Sequence, residues 1–301
     1  MNQTTLKGEV HLEGIGLHTG EKVKVTFSPA PPNSGIRLRR TDLPDGPEIP
    51  ARIEFVTSTH HRTAIGQGKA EIQSVEHLLS ALYGLEVDNI LVLVDGPEPP
   101  ILDGSTLPYV EALLEAGIAD QGVARKTWRI ATPCFYSNDG VEIFALPEKG
   151  LKISFTIAYD HPFLKTQFAS FPITPEIFRK EIAPARTYGF EDWVERLRME
   201  GLIRGGTLEN AIVIGEKGIL NKTPLRFEDE FVRHKIGDLL GDLALLGVRV
   251  EGHIIAIKSG HETHVEFMRK LREAIQMQDE RVDSISMKFS NGCPIAIHFS
   301  W

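Results

Sequence analysis

The sequence predicts an α+β protein of two similar domains, each a layer of helices packed against a β-sheet, stacked as a β-α-α-β sandwich. Two observations carry that expectation. Each half runs a long amphipathic segment, ending on glycine, directly into an apolar strand: Ser74 to Gly84 before Val87 to Val94, and 227 to Gly247 before Val248 to Ile257. Strand-like runs precede each unit, and the polar stretch Asp120 to Lys126 separates the halves. The expected domains are 1–122 and 127–277, with 278–301 as a tail. Two such halves packed together leave a site between them fed from both.

The 301 residues suffice for two cores, and the net charge of −8 gives no basic footprint, which excludes nucleic acid as the main partner. An anionic ligand then requires a local basic pocket. Cys134 and Cys293 are too few for a disulfide framework or a metal cage of their own, which fits a reducing cytoplasm. The N-terminus lacks the charged and apolar regions of a signal peptide. No apolar run approaches the ~20 residues of a membrane span, so contact with lipid is limited to a pocket or a surface.

Residues 4 to 28 alternate at period two (Val10, Leu12; Val23, Val25, Phe27) around Gly14-Ile-Gly-Leu-His-Thr-Gly20, which predicts a hairpin with a glycine-rich connection. His18 lies in that connection, either solvated or beside a ligand that the glycines let approach. Pro29 to Pro50 reads as surface loop with a short strand at Ile36 to Arg39, and strand signal returns at Ala51 to Val56. Ser74 is placed to cap the first long helix and Gly84 to end it. Glu76 and His77 open that helix. They read as a base beside a metal ligand, or as an acid set against the helix dipole. Pro108 to Ala116 forms a second helix, closed by Gly117.

In the second half, strands are expected at Lys126 to Ile130, Val141 to Ala145, Leu151 to Tyr159 and Phe168 to Ile173. Helices are expected from near Pro175, at Glu191 to Glu200, and over 227 to 246. A last helix, Val265 to Met277, precedes strand-like Ser286 to Phe289 and Pro294 to Trp301. The helix over 227 to 246 sets His234, Asp238 and Asp242 four residues apart, along one face. Phe231, Ile236, Leu239, Leu240 and Leu243 pack its other side into a core. A divalent metal bound by His234 and Asp238 explains the polar face, and so does a plain hydrogen bond along the helix. A metal needs a third ligand from elsewhere.

Assembled, Ser-Val-Glu76-His77-Leu, Phe-Glu-Asp-Glu-Phe-Val-Arg-His234-Lys235-x-x-Asp238-x-x-x-Asp242 and Lys258-Ser-Gly-His261 resemble the zinc-dependent UDP-3-O-acyl-N-acetylglucosamine deacetylases of lipid A synthesis. Gly14-Ile-Gly-Leu-His18-Thr-Gly, Asp103-Gly-Ser, Ala185-Arg-Thr187-Tyr-Gly-Phe190 and Leu225-Arg-Phe-Glu-Asp extend the likeness over residues 1 to 274. The resemblance implies one zinc ion on His77, His234 and Asp238, with Glu76, His261, Asp242, Thr187 and Lys235 carrying catalysis. Glu76 would be the general base, titrating low beside the metal, and His261 the general acid held by Asp242. Thr187 would stabilise the oxyanion.

The resemblance also implies a UDP-acyl-sugar substrate contacted by His18, Tyr159, Tyr188, Phe190 and Lys258. Lys235 and Lys258 would lie near the sugar and diphosphate, and Tyr159 on the uracil. An insertion at 196 to 214, with Leu202, Ile203, Leu208, Ile212 and Val213, would form the fatty-chain passage. A cytoplasmic monomer is expected. Residues 60 to 63, His-His-Arg-Thr, depart from the pattern with two adjacent histidines that offer spare metal ligands or nothing. Competing expectations are a zinc amidohydrolase for another acylated amino sugar and a noncatalytic lipid- or carbohydrate-binding relative.

Overall fold

The computed structural model describes residues 1–290. In the first half, five strands form one sheet in the order Val10–Ile15, Lys22–Pro29, Ile90–Val94, Ile36–Arg40, Glu48–Pro50. In the second, the order is Cys134–Asn138, Val141–Leu146, Arg249–Ile257, Leu151–Ala158, Thr166–Pro172, with Thr127–Arg129 also paired to Arg249–Ile257. Numbered within its own sheet, each half shows the order first, second, last, third, fourth. The last strand pairs parallel with the third in both, Leu38 opposite Val92 and Ile153 opposite Ile254. Both parallel pairs sit inside their sheets, and the last strand of each, Ile90–Val94 and Arg249–Ile257, carries most of the Ile, Val and Leu.

Two helices lie in the first half, α1 (Glu76–Gly84) and α2 (Leu107–Ala116). The second half holds α3 (Pro175–Ile177), α4 (Glu191–Met199), α5 (Glu230–Leu243) and α6 (His261–Ser290). The α1 and α5 helices pack directly on each other, so the helical layers face inward and the sheets lie outside, as the sandwich requires. Phe231, Val232, Ile236, Leu239, Leu240 and Leu243 of α5 are all buried. At roughly 1.5–3 kcal/mol for each fully buried large apolar side chain, this face anchors the helix whatever its polar side does. Gly241 permits the close crossing: a Cβ there would lie 2.0 Å from the carbonyl oxygen of Glu76.

Several expectations need correction. Ser74 does not cap α1; its φ is +54° and its hydroxyl donates to Glu98 at 2.6 Å, while Val75 holds the cap position. Gly84 lies inside α1, where any side chain would strike the Phe178 ring, so packing rather than capping explains it. The strand expected at Ala51 to Val56 is a 3-10 turn, Ile53–Phe55, between the short strands Glu48–Pro50 and Val56–Ser58. The supposed connector contains a strand, Ile118–Ala124, paired antiparallel with Asn2–Leu6. Near the C-terminus α6 begins at His261 and continues through Ser286 to Phe289, which the sequence reads as a strand. No Gly or Pro interrupts 261 to 290, and the breakers Gly292 and Pro294 come only after it. Cys293 and the strand expected at Pro294 to Trp301 lie outside the described residues.

Candidate active site

Where α1 crosses α5, three side chains converge from the two halves. His234 Nε2 lies 3.3 Å from Asp238 Oδ1, and His77 Nε2 lies 3.7 Å from the same oxygen. The two imidazole rings stand 5.0 Å apart and nearly perpendicular. His234 Nδ1 is 3.3 Å from the Ala185 carbonyl oxygen, which can only accept, so Nδ1 carries the hydrogen and Nε2 keeps its lone pair.

One ligand atom from each of His77, His234 and Asp238 falls within 4.8 Å of the others. Tetrahedral bonds of about 2.0–2.2 Å set ligand atoms about 3.4 Å apart, so two imidazoles and one carboxylate fit a divalent metal such as zinc after small adjustments. Burial, then the neighbouring His234, lowers the His77 pKa to about 3, keeping its imidazole neutral as a metal ligand must be. Burial would raise the Asp238 carboxyl, but His234, Lys235, His261 and His77 together hold it well below its ordinary value.

Asp242, one turn further along α5, has different partners. Its Oδ2 lies 2.8 Å from both His261 Nδ1 and His264 Nδ1, and its Oδ1 accepts the Thr63 hydroxyl at 2.6 Å. Burial lowers the pKa of a histidine, yet the charge and hydrogen bond of Asp242 raise that of His261 to about 9. The spacing alone does not tell Asp238 from Asp242; their partners do. Asp242, His261 and His264 also form a metal-compatible group, but hydrogen bonds already close it and His264 is fully buried.

Two opposing influences act on Glu76. Burial raises its carboxyl to about 7 in the metal-free protein, against the lowering effect of His261. A bound dication would oppose that rise. The Thr63 backbone N–H donates to Glu76 Oε2 at 3.0 Å, so one residue touches both Glu76 and the Asp242 and His261 pair.

Further structure holds these groups in place. Glu230, fully buried at the start of α5, accepts from the Arg186 backbone N–H at 3.0 Å, Arg186 Nε at 2.8 Å and the Arg226 N–H at 2.6 Å. Arg226 in turn reaches Asp103 at 2.7 Å. The Ala185, Leu225 and Asp103 motifs are thus one network. It holds the segment leading into the strand Tyr188–Phe190, where the Thr187 N–H donates to the Gly104 carbonyl at 2.8 Å. In the first half, buried Glu98 accepts the N–H groups of His18 and Thr19 at 3.0 and 2.9 Å, pinning the glycine-rich connection.

A cavity of about 310 Å³ joins most of these residues: His18, Glu76, His77, Tyr159, Thr187, Tyr188, His234, Lys235, Asp238 and His261 all line it. Lys235 donates to Asp238 at 2.7 Å, and the Tyr159 and Tyr188 hydroxyls are 2.9 Å apart. Burial lowers the His18 pKa to about 4, and its Nδ1 has no partner, leaving a neutral ring for a ligand to meet. Phe190 is buried behind Tyr159, 5.0 Å between ring centroids, and Lys258 is exposed away from the lining. From the polar end the cavity continues past Trp193, Leu197, Ile203, Leu208 and Val213. Leu202 is not in the wall, and Ile212 is buried in the core.

Thr63, Glu98, Trp193 and His264 were not singled out from the sequence. His264 alone had a readable signal, three residues after His261 on one helix. The others come from loops or from helices whose faces spacing does not orient.

A protein-family model described as UDP-3-O-acyl N-acetylglycosamine deacetylase matches residues 3–273. The chain is 42% identical over 271 residues to the UDP-3-O-acyl-N-acetylglucosamine deacetylase of Thermodesulfovibrio yellowstonii, covering 90% of this chain and 92% of that one. It is 44% identical over 285 residues to the protein of the same name from Oleidesulfovibrio alaskensis, covering 94% and 93%. Against that of Legionella pneumophila it is 45% identical over 273 residues, covering 90% of each. A match along nearly the whole length, at such identity, means that the chain belongs to the UDP-3-O-acyl N-acetylglycosamine deacetylase family.

Proposed function

We propose that the protein hydrolyses the N-acetyl group of UDP-3-O-acyl-N-acetylglucosamine, giving the free amine and acetate in lipid A biosynthesis, with one zinc ion held by His77, His234 and Asp238. The observation that carries this reading is the placement of those three donors, with Glu76 and His261, in one cavity that is also lined by the apolar side chains Leu197, Ile203, Leu208 and Val213. Zinc bound there would polarise the acetamide carbonyl and lower the pKa of water.

Glu76, as carboxylate, takes the proton of the attacking water, and Thr63 orients it through Oε2. His261, kept protonated by Asp242, gives its proton to the departing sugar amine. Thr187 faces the same space and donates to the developing oxyanion, and the Lys235 ammonium adds positive charge beside Asp238. His18, Tyr159 and Tyr188 contact the sugar and nucleotide side, Phe190 backs Tyr159, and exposed Lys258 serves the diphosphate. Ile203, Leu208 and Val213 take the fatty chain, each buried methylene contributing about 0.8 kcal/mol.

Residues 1–122 and 127–277 are read as the two domains, and a cytoplasmic monomer as the working form. Among the described residues, no helix is long and apolar enough to cross a membrane. The test is incubation of purified protein with UDP-3-O-acyl-N-acetylglucosamine, after chelation and again after zinc is restored. Acetate released only with metal supports the reading. No release with stoichiometric zinc bound overturns it.

A further inference from the structure

A second group of metal-binding side chains stands at the mouth of the cavity, apart from the first. His60 and His61 lie on the bend after the strand Val56–Ser58 of the first half, and Glu200 follows directly on α4 of the second. One ligand atom from each falls within 4.8 Å of the others, with His60 Nε2 3.8 Å from Glu200 Oε2. Consecutive side chains in an extended backbone point to opposite faces. Here His61 has a φ of +60°, and the two rings come together at 4.1 Å between centroids.

A His60 to Glu200 ion pair accounts for two of these side chains but not for the third. A second imidazole beside the first adds repulsion if both are charged, and adds a donor if both are neutral. Two nitrogens and one oxygen are a donor set for zinc, nickel or copper rather than for calcium or magnesium. All three residues are exposed, so they have room to close from 3.8 Å to the roughly 3.4 Å that tetrahedral bonding asks, and solvent can fill the fourth position.

We propose that His60, His61 and Glu200 form a second, weaker site for a divalent transition metal, which when filled ties α4 to the bend of the first half. No residue of α4 itself is buried, and its ring contacts, Trp193 with Phe190 and Tyr159, run to the second half and not to the bend of the first. His61 and the α4 residues Trp193, Val194 and Leu197 line the same cavity, so the ion would bridge two of its walls. The proposal goes beyond the deacetylase reading and rests on it only in the ion count of its test, which takes the first metal as bound.

The experiment uses protein carrying one ion per chain, dialysed against rising free zinc, and separately nickel, with metal per chain counted by mass spectrometry. Wild type should take up a second ion, and His60→Ala and Glu200→Gln should keep only the first. Hydrogen exchange at the α4 amides should slow several-fold with the second ion in wild type and stay unchanged in both variants. No second ion, or one that persists in both variants, overturns the site. A second ion lost in the variants but without any slowing in wild-type α4 overturns the tether.

Discussion

The Asp242 carboxylate lies 2.8 Å from the ring Nδ1 of His261, and the two sit 19 residues apart on successive helices. Its charge keeps His261 protonated up to about pH 9. A raised folded-state pKa means that the pair stabilises the fold fully below the ordinary histidine value near 6.5, and that this is lost as pH rises through 9. Asp242→Asn should therefore move the basic limb of the kcat/KM profile toward lower pH and reduce turnover at pH 8, with zinc content near one. Zinc loss equal to that of Asp238→Ala would mean that Asp242 is a ligand.

Zinc stoichiometry separates the ligands from their neighbours. His77→Ala, His234→Ala and Asp238→Ala should each fall well below one ion per chain under dialysis that leaves wild type loaded, since each removes a third of the protein's donors. Elemental analysis reads the result directly, and full occupancy in all three would exclude the site.

Glu76→Gln keeps the size of the side chain and removes its basicity. A positioned base contributes about 10²–10⁴ in rate, so kcat should drop by that order with zinc retained. The acidic limb of the profile should vanish with it, because Glu76 must be ionised to accept a proton. In wild type that limb should fall below pH 7, the metal-free value of Glu76, because a bound cation favours the carboxylate. A limb that survives in Glu76→Gln belongs to another group.

Thr63→Val removes the hydroxyl that donates to Asp242 at 2.6 Å while leaving the backbone N–H that holds Glu76. A buried acceptor left short of a partner costs about 1–3 kcal/mol. The melting temperature should fall accordingly and the basic limb should shift, and Thr63→Ser should restore both. If the limb stays put while the melting temperature drops, Thr63 is structural only.

Legibility in the sequence followed the range of the interaction. His234 and Asp238 were readable because α-helical periodicity turns a spacing of four into a shared face, and α5 is helical throughout. Its third partner, His77, lies 157 positions earlier, and only the ordered set of motifs in the family resemblance joined the two. The repeat of helix, glycine and strand gave the two-layer plan correctly, although Gly84 serves packing and only Gly247, at φ +67°, ends a helical turn in the left-handed conformation. Ser74 was misread because a serine before a helix looks like a cap whatever its backbone does. Thr63 carried no signal, since its partners lie on α1, α5 and α6 and no local pattern encodes a contact 179 residues away. Glu76 was read as titrating low from the charge of a metal alone, without the burial that works against it.

Two halves with one strand order, meeting helix to helix, have the arrangement of a self-complementary dimer drawn into one chain. In such a dimer the element at the seam faces its own copy across a rotation axis, and a pocket on that axis exists once per pair rather than once per subunit. Here the two sides of the seam differ: α1 carries Glu76 and His77, while α5 carries His234 and Asp238. Neither half carries all three of the proposed ligands, so a piece severed from its partner would lack the reaction centre that the seam assembles.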